Sequence, residues 1–185
     1  MLWDRGYAIS RSDIDQTLAD FRSSFGENPE LAKIKIEAVL LRDPSKRILV
    51  VFCGAAPVKL TTARDLSTQY SKENWSRMIL VLQSNMTSQT REKMKLLFPF
   101  KVESFHVSEL LINITKHALM PNHEPLSEEE KQKLLKKYSI EETQLPRMLE
   151  SDAVAKYYGY EKGTILKITY GGELTKNHVT YRCVV

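Results

Sequence analysis

Four histidines, two cysteines and a thin scatter of carboxylates are the residues of this chain whose side chains could do chemistry. His117 and His123 lie close enough to suggest a metal pair, but prolines flank them and no Cys or third His falls at a ligand spacing. Cys53, before Gly54, could be a nucleophile; at the end of the apolar run RILVVFC it reads more simply as a small core thiol. A magnesium nuclease needs an acid near one strand end and Glu-x-Lys on the next, so that two carboxylates hold the ion and a lysine supports the attacking water. RILVVFC carries no carboxylate; Glu37 and Asp43 precede it, and Lys59 stands alone after it. No Walker loop or G-x-G-x-x-G is present, so nucleotide binding has no support either, and no catalytic residue, metal or cofactor is expected.

The elements that would position these residues read as two domains. Ser12 starts a helix with Ile14, Leu18, Phe21 and Phe25 on one face and Gly26 at its end. LAKIKIEAVLLR and RILVVFC form a hairpin turned at DPSK, with the second strand central. A helix over 61–74, the strand RMILVLQ, a helix over 87–97 and the strand FKVESFHV complete an αββαβαβ order, an α/β layer with a mixed sheet. Ser108 caps a short helix, and Pro121 and Pro125 stiffen a connector; the boundary gives domains 1–112 and 113–185. In the second, a small α+β domain, Ser127 and Glu130 box the helix SEEEKQKLLKKYSI, and Ser139 and Glu142 repeat the signature before a short helix ending at Pro146. Ser151 or Asp152 caps AVAKYY, Gly159 stops it, and TILKITY and HVTYRCV form a hairpin through Gly171 and Gly172.

Charge is nearly balanced. The net +4 comes from 27 basic and 23 acidic residues, with 16 and 13 of them in 1–115. A protein that grips DNA by itself concentrates Lys and Arg on one face, so contact with nucleic acid is expected to be secondary. Lys59, Arg64, Asn85, Thr87, Gln89 and Arg91 fall near strand ends where loops could approach a phosphate backbone; plain solvation is the alternative. No apolar run approaches the roughly 18 residues of a membrane span, and MLWDRGYAIS is no signal peptide, which predicts a protein of the cytosol or nucleus without a membrane partner. Cys53 and Cys183 read as separate buried thiols.

The segment from Gln144 to Ile168 holds no reactive constellation yet is rich in special residues. Pro146 makes QLPR an extended entry, Arg147 offers a planar fork, Asp152 can cap, and Tyr157, Tyr158 and Tyr160 flank Gly159. Tyrosine and arginine dominate buried interface patches, but a small domain can also spend tyrosines in its own core. The segment alone leaves both readings standing.

The order of these residues resembles the fifth common subunit of eukaryotic nuclear RNA polymerases, whose C-terminal module has a counterpart in the archaeal enzyme. Asn113–Thr115, His117, Pro121, His123, Leu145–Arg147, Asp152, Ala155, Tyr157–Gly159 and Lys162–Gly163 match the pattern of that C-terminal module, and DRGY, the central strands and LVLQSNMT resemble the jaw module found only in eukaryotes. The chain begins just upstream of DRGY, where the family usually carries a helix. Its last turn, GGELTKNHV, replaces the basic, serine-rich turn of the RNA polymerase II subunit; with FGENPEL and RCVV it looks like the divergent copy used by plant RNA polymerase V in RNA-directed DNA methylation. The resemblance implies a nuclease-like jaw scaffold without activity and a non-catalytic, nuclear subunit with no small-molecule substrate. It further implies that the C-terminal module docks on the largest subunit, among other polymerase subunits, through Gln144, Leu145, Pro146, Arg147, Asp152, Tyr157, Tyr158 and Gly159, while the jaw supports downstream DNA.

Overall fold

The computed structural model describes residues 1–171 and 178–185, which fall into two compact units, Leu2–Ile112 and Asn113–Val185. The first opens on two short helices, α1 (Arg11–Ile14) and α2 (Leu18–Phe25), where the sequence predicts one. Ser10, not Ser12, caps α1. The break follows from a competing local bond: Thr17 Oγ1 accepts from the Asp20 N–H while the Asp20 carboxylate accepts from the Thr17 N–H, a reciprocal cap that restarts the helix. Ile14, Leu18 and Phe25 are left exposed.

A hairpin follows, β1 (Lys35–Leu40) and β2 (Asp43–Phe52). Its turn is Leu41–Arg42 rather than DPSK. Leu40 pairs with Asp43 and Val39 with Arg47, so Pro44–Lys46 bulge out of the ladder, with the Asp43 carboxylate accepting from the Ser45 N–H and hydroxyl. Then come α3 (Leu60–Tyr70), β3 (Arg77–Leu82), α4 (Ser88–Leu97), β4 (Lys101–His106) and α5 (Val107–Leu110). The sheet order is β1-β2-β3-β4, antiparallel only in the first pair, so it is mixed with β2 inside. α3 and α4 bury Ala63, Tyr70 and Met94 against Leu49, Val51, Met78, Leu80 and Leu82 on one face of the sheet. The two crossovers place both helix starts at the C-terminal edge of the parallel strands. The cap of α5 is His106, whose ring accepts from the Ser108 N–H, and not Ser108 itself.

The second unit carries β5 (Asn122–Pro125), α6 (Glu128–Tyr138), β6 (Arg147–Met148), α7 (Ala153–Tyr158), β7 (Ile165–Tyr170) and β8 (His178–Val184). The sheet order is β5-β7-β8-β6. The stretch from Pro121 to Pro125, expected as a connector, contributes the edge strand β5, a place where proline's missing N–H is tolerated. α6 has the predicted box between Ser127 and Glu130. Ser139 is not a second N-cap: it ends α6 in the left-handed region at φ 51°, and a 3₁₀ turn over Glu142–Gln144 stands where a short helix was expected. α6 buries Leu134 against Leu145, Ile165 and Cys183 on one face of the sheet. α7 buries Ala155 against Met148, Leu166, Ile168 and Val184 on the other. The turn expected through Gly172 lies outside the described residues.

Candidate functional site

The corner Gln144–Met148 is built by a sharp alternation of burial. Leu145 (7% exposed) and Met148 (4%) point into the two cores, while Pro146 and Arg147 are exposed between them. The backbone is bolted to β8: the Pro146 carbonyl accepts from the Cys183 N–H at 2.9 Å and the Met148 carbonyl from the Val185 N–H at 2.8 Å. Proline at 146 thus fixes φ and supplies an acceptor, and the chain presents Arg147 from a rigid edge strand.

Several residues named from the resemblance are spent on the domain itself. The Gln144 side chain accepts from the Glu141 N–H at 2.8 Å, closing the 3₁₀ turn. Asp152 caps α7 by accepting from the Val154 N–H at 2.9 Å, so the choice between Ser151 and Asp152 falls to the latter. Gly159 ends α7 at φ 70°, where a side chain would be strained. Tyr157 is buried, and Leu145 belongs to the core. Of the eight residues, Gln144, Pro146 and Arg147 are exposed, and Asp152, Tyr158 and Gly159 are half-buried. The Tyr158 ring meets Tyr157 edge-on at 5.2 Å and stacks on Tyr160 at 5.3 Å, so the three tyrosines form one ring cluster. Burial raises the Tyr160 phenol's pKa well above its ordinary value, and its hydroxyl donates to the His123 carbonyl.

In the first unit all six residues expected near DNA are exposed. Lys59 occupies the N-cap position of α3, Arg64 lies one turn on, and Asn85, Thr87, Gln89 and Arg91 lead into α4. The neighbouring parallel strands bring both helix starts to one edge. Thr87 is the exception in chemistry: its hydroxyl caps α4 by accepting from the Thr90 N–H and bonds the Thr90 hydroxyl at 2.8 Å.

The candidate reactive groups are paired or inert. Glu37 faces Lys35 at 2.7 Å and Arg47 at 3.4 Å. Burial raises the pKa of both thiols; Cys183 is buried and Cys53 half-buried, and both are free. His123 bonds the Pro121 carbonyl, and His117 accepts from the Leu119 N–H. Among the described residues no group of three or more His, Cys, Asp or Glu is placed to hold a metal ion.

Sequence reasoning missed what DRGY does. Arg5 Nη2 donates to Glu103 at 2.6 Å, and Arg77 Nη1 donates to the other oxygen of the same carboxylate at 2.9 Å. Side-chain exposures of 3% for Arg5 and 10% for Glu103 make this a buried charge cluster. Tyr7 is buried beside it, its phenol pushed up by burial. A carboxylate in the middle of the strand KVESFH was the available signal, since a buried strand acid needs a basic partner.

Comparison with known proteins identifies the family. The profile of the RNA polymerase Rpb5 N-terminal domain matches residues 1–70, and that of the RNA polymerase Rpb5 C-terminal domain matches 112–184. The chain is 47% identical over its whole length to the Arabidopsis thaliana DNA-directed RNA polymerase V subunit 5A, covering 83% of that protein. It is 48% identical over its whole length to DNA-directed RNA polymerases IV and V subunit 5B of the same plant, covering 84%. Against DNA-directed RNA polymerases I, II, and III subunit RPABC1 of Caenorhabditis briggsae identity is 34%, again over the whole chain and 90% of the relative. With family profiles matched over residues 1–70 and 112–184 and relatives 34–48% identical over its whole length, the chain belongs to the Rpb5 family of non-catalytic RNA polymerase subunits.

Proposed function

We propose that this subunit serves a plant RNA polymerase V in the nucleus, in the transcription that supports RNA-directed DNA methylation, by docking on the largest subunit through its second unit. The observation that carries the docking is the exposed Pro146–Arg147 pair on a strand whose neighbours are locked into two cores. An arginine carried on a backbone already held to β8 spares binding the cost of ordering that backbone, which favours an interface anchor. The relatives named for polymerases IV and V, at 47–48% identity, support the choice of enzyme. Affinity purification of the tagged chain from plant nuclei, with mass spectrometry of the recovered subunits, is expected to return the polymerase V largest subunit. Recovery of only the largest subunits of polymerases I, II, III or IV would overturn that choice.

The jaw reading rests on the shared edge of α3 and α4. There the first unit is an α/β layer in the manner of a nuclease scaffold, with Lys59, Arg64, Asn85, Gln89 and Arg91 placed to steady a passing duplex instead of cutting it. With so few cations and the chain's charges nearly balanced, the isolated protein should bind duplex DNA weakly and without sequence preference. Its affinity should fall roughly tenfold or more between about 50 and 200 mM salt. Salt-independent or sequence-specific binding in a titration would sink this reading.

A further inference from the structure

We propose that a groove beside β6 receives an extended segment of the polymerase largest subunit and that this segment presents an aspartate or glutamate to Arg147 and Lys162. The inference rests on the docking reading above and adds to it the chemistry of what docks. The groove has a volume of about 360 Å³ and lies wholly within the second unit.

Its free side-chain charges are cationic. Arg147 and Lys162 are both exposed at the rim, and neither has an ion-pair or hydrogen-bond partner for its side chain among the described residues. The acid on the rim, Glu142, is already taken: Lys131 Nζ sits 2.7 Å from its carboxylate, and the same ammonium reaches the Gly163 carbonyl. Two cations without a bonded partner therefore stand over a floor that includes Cys183 and Val184. Burial raises the thiol's pKa, so Cys183 adds no charge to that floor near neutral pH. At Val185 the backbone is engaged as well, its N–H with the Met148 carbonyl and its oxygen with the Glu150 N–H.

The strand geometry fixes the shape of the occupant. β6 is the edge of its sheet, and the carbonyls of Pro146 and Met148 both turn toward β8. Alternation along a strand then turns the Arg147 N–H and C=O outward, where an extended chain can pair with them. Such a chain places alternate side chains over the groove, where a carboxylate meets the arginine fork and small apolar neighbours cover the floor. A duplex phosphate backbone is a poorer match, because two cations over an apolar floor offer neither the cationic stripe nor the wetness of a nucleic-acid surface.

The test uses the full chain and a polymerase V assembly reconstituted without this subunit. Affinity is measured for wild type, Arg147→Ala, Lys162→Ala and the double variant, with Lys116→Ala as an exposed control and thermal unfolding to verify the fold. Each groove substitution is expected to weaken binding about tenfold, in the range of a partly desolvated interfacial charge pair, with the control unchanged. A carbodiimide, which joins an amine directly to a carboxylate, should link Lys162 to an aspartate or glutamate of the largest subunit. No binding by the wild type would overturn the docking reading and the groove together. Wild-type binding that the double variant reproduces within twofold, or a Lys162 cross-link absent or mapped to another subunit, overturns the groove and leaves docking in place.

Discussion

Replacing Glu103 with leucine should destabilise the first unit by about 3–5 kcal/mol, because it removes a carboxylate that both a buried and a half-buried guanidinium bond. The unfolding is readable in the intact chain: both tryptophans, Trp3 and Trp75, lie in the first unit, so urea denaturation followed by tryptophan fluorescence reports on that unit alone. Arg5→Met should cost less than Glu103→Leu, since Arg77 still holds the other carboxylate oxygen at 2.9 Å. Replacing all three charged residues with apolar ones of similar volume should recover much of the loss, as buried ion clusters contribute little net stability over well-packed hydrocarbon. A Glu103→Leu loss below about 1 kcal/mol would mean that the cluster is solvated in solution and that DRGY anchors nothing.

That cluster also marks where the sequence stopped being legible. Periodicity and caps located β1 to β4, β7, β8 and the helices α3, α4, α6 and α7, because in each the local signal and the tertiary packing agree. The Ser127–Glu130 box and the Gly159 stop were readable for the same reason. Several misses share a cause: short polar side chains choosing among competing backbone partners. Thr17 and Asp20 bonded each other's backbone and split a helix that its apolar spacing would continue. Asp43 bonded Ser45 inside a bulge, so DPSK looked like the turn that Leu41 and Arg42 make. A pair such as Arg5 and Glu103, 98 residues apart, leaves one local trace, the carboxylate inside KVESFH, and nothing that names its partner.

The candidate site was legible in location and not in the roles of its residues. Sequence pattern marked Gln144–Gly159 as special, but it could not separate residues that face a partner from those that hold the corner in shape. Burial makes that separation. Leu145, Asp152, Tyr157 and Gly159 are core, cap, core and stop, and they position Pro146 and Arg147. Lys162, read only as one letter of a pattern, gains its place in the proposed groove because the fold carries it to the same rim as Arg147. The two lie 15 residues apart in sequence, and no helical or strand period connects them.

The division of labour within the tyrosine corner predicts opposite outcomes for neighbouring substitutions. Tyr157→Ala removes a ring that is 6% exposed and should destabilise the second unit by about 3–5 kcal/mol, the cost of truncating a buried aromatic. Its thermal transition, followed by the near-ultraviolet circular dichroism of tyrosine, should shift down strongly, since six of the eight tyrosines lie in that unit. Arg147→Ala combined with Tyr158→Ala should act the other way round. Arg147 is exposed and Tyr158 half-buried, so the transition should survive with a modest shift, while recovery with the polymerase largest subunit falls. If the double variant instead loses its cooperative transition as Tyr157→Ala does, the ring stack between Tyr158 and Tyr160 is part of the core, and the partner-facing surface shrinks to Pro146 and Arg147. If it keeps its transition and its full recovery with the largest subunit, the corner is not the anchor, because the fold would then be intact and the arginine fork dispensable.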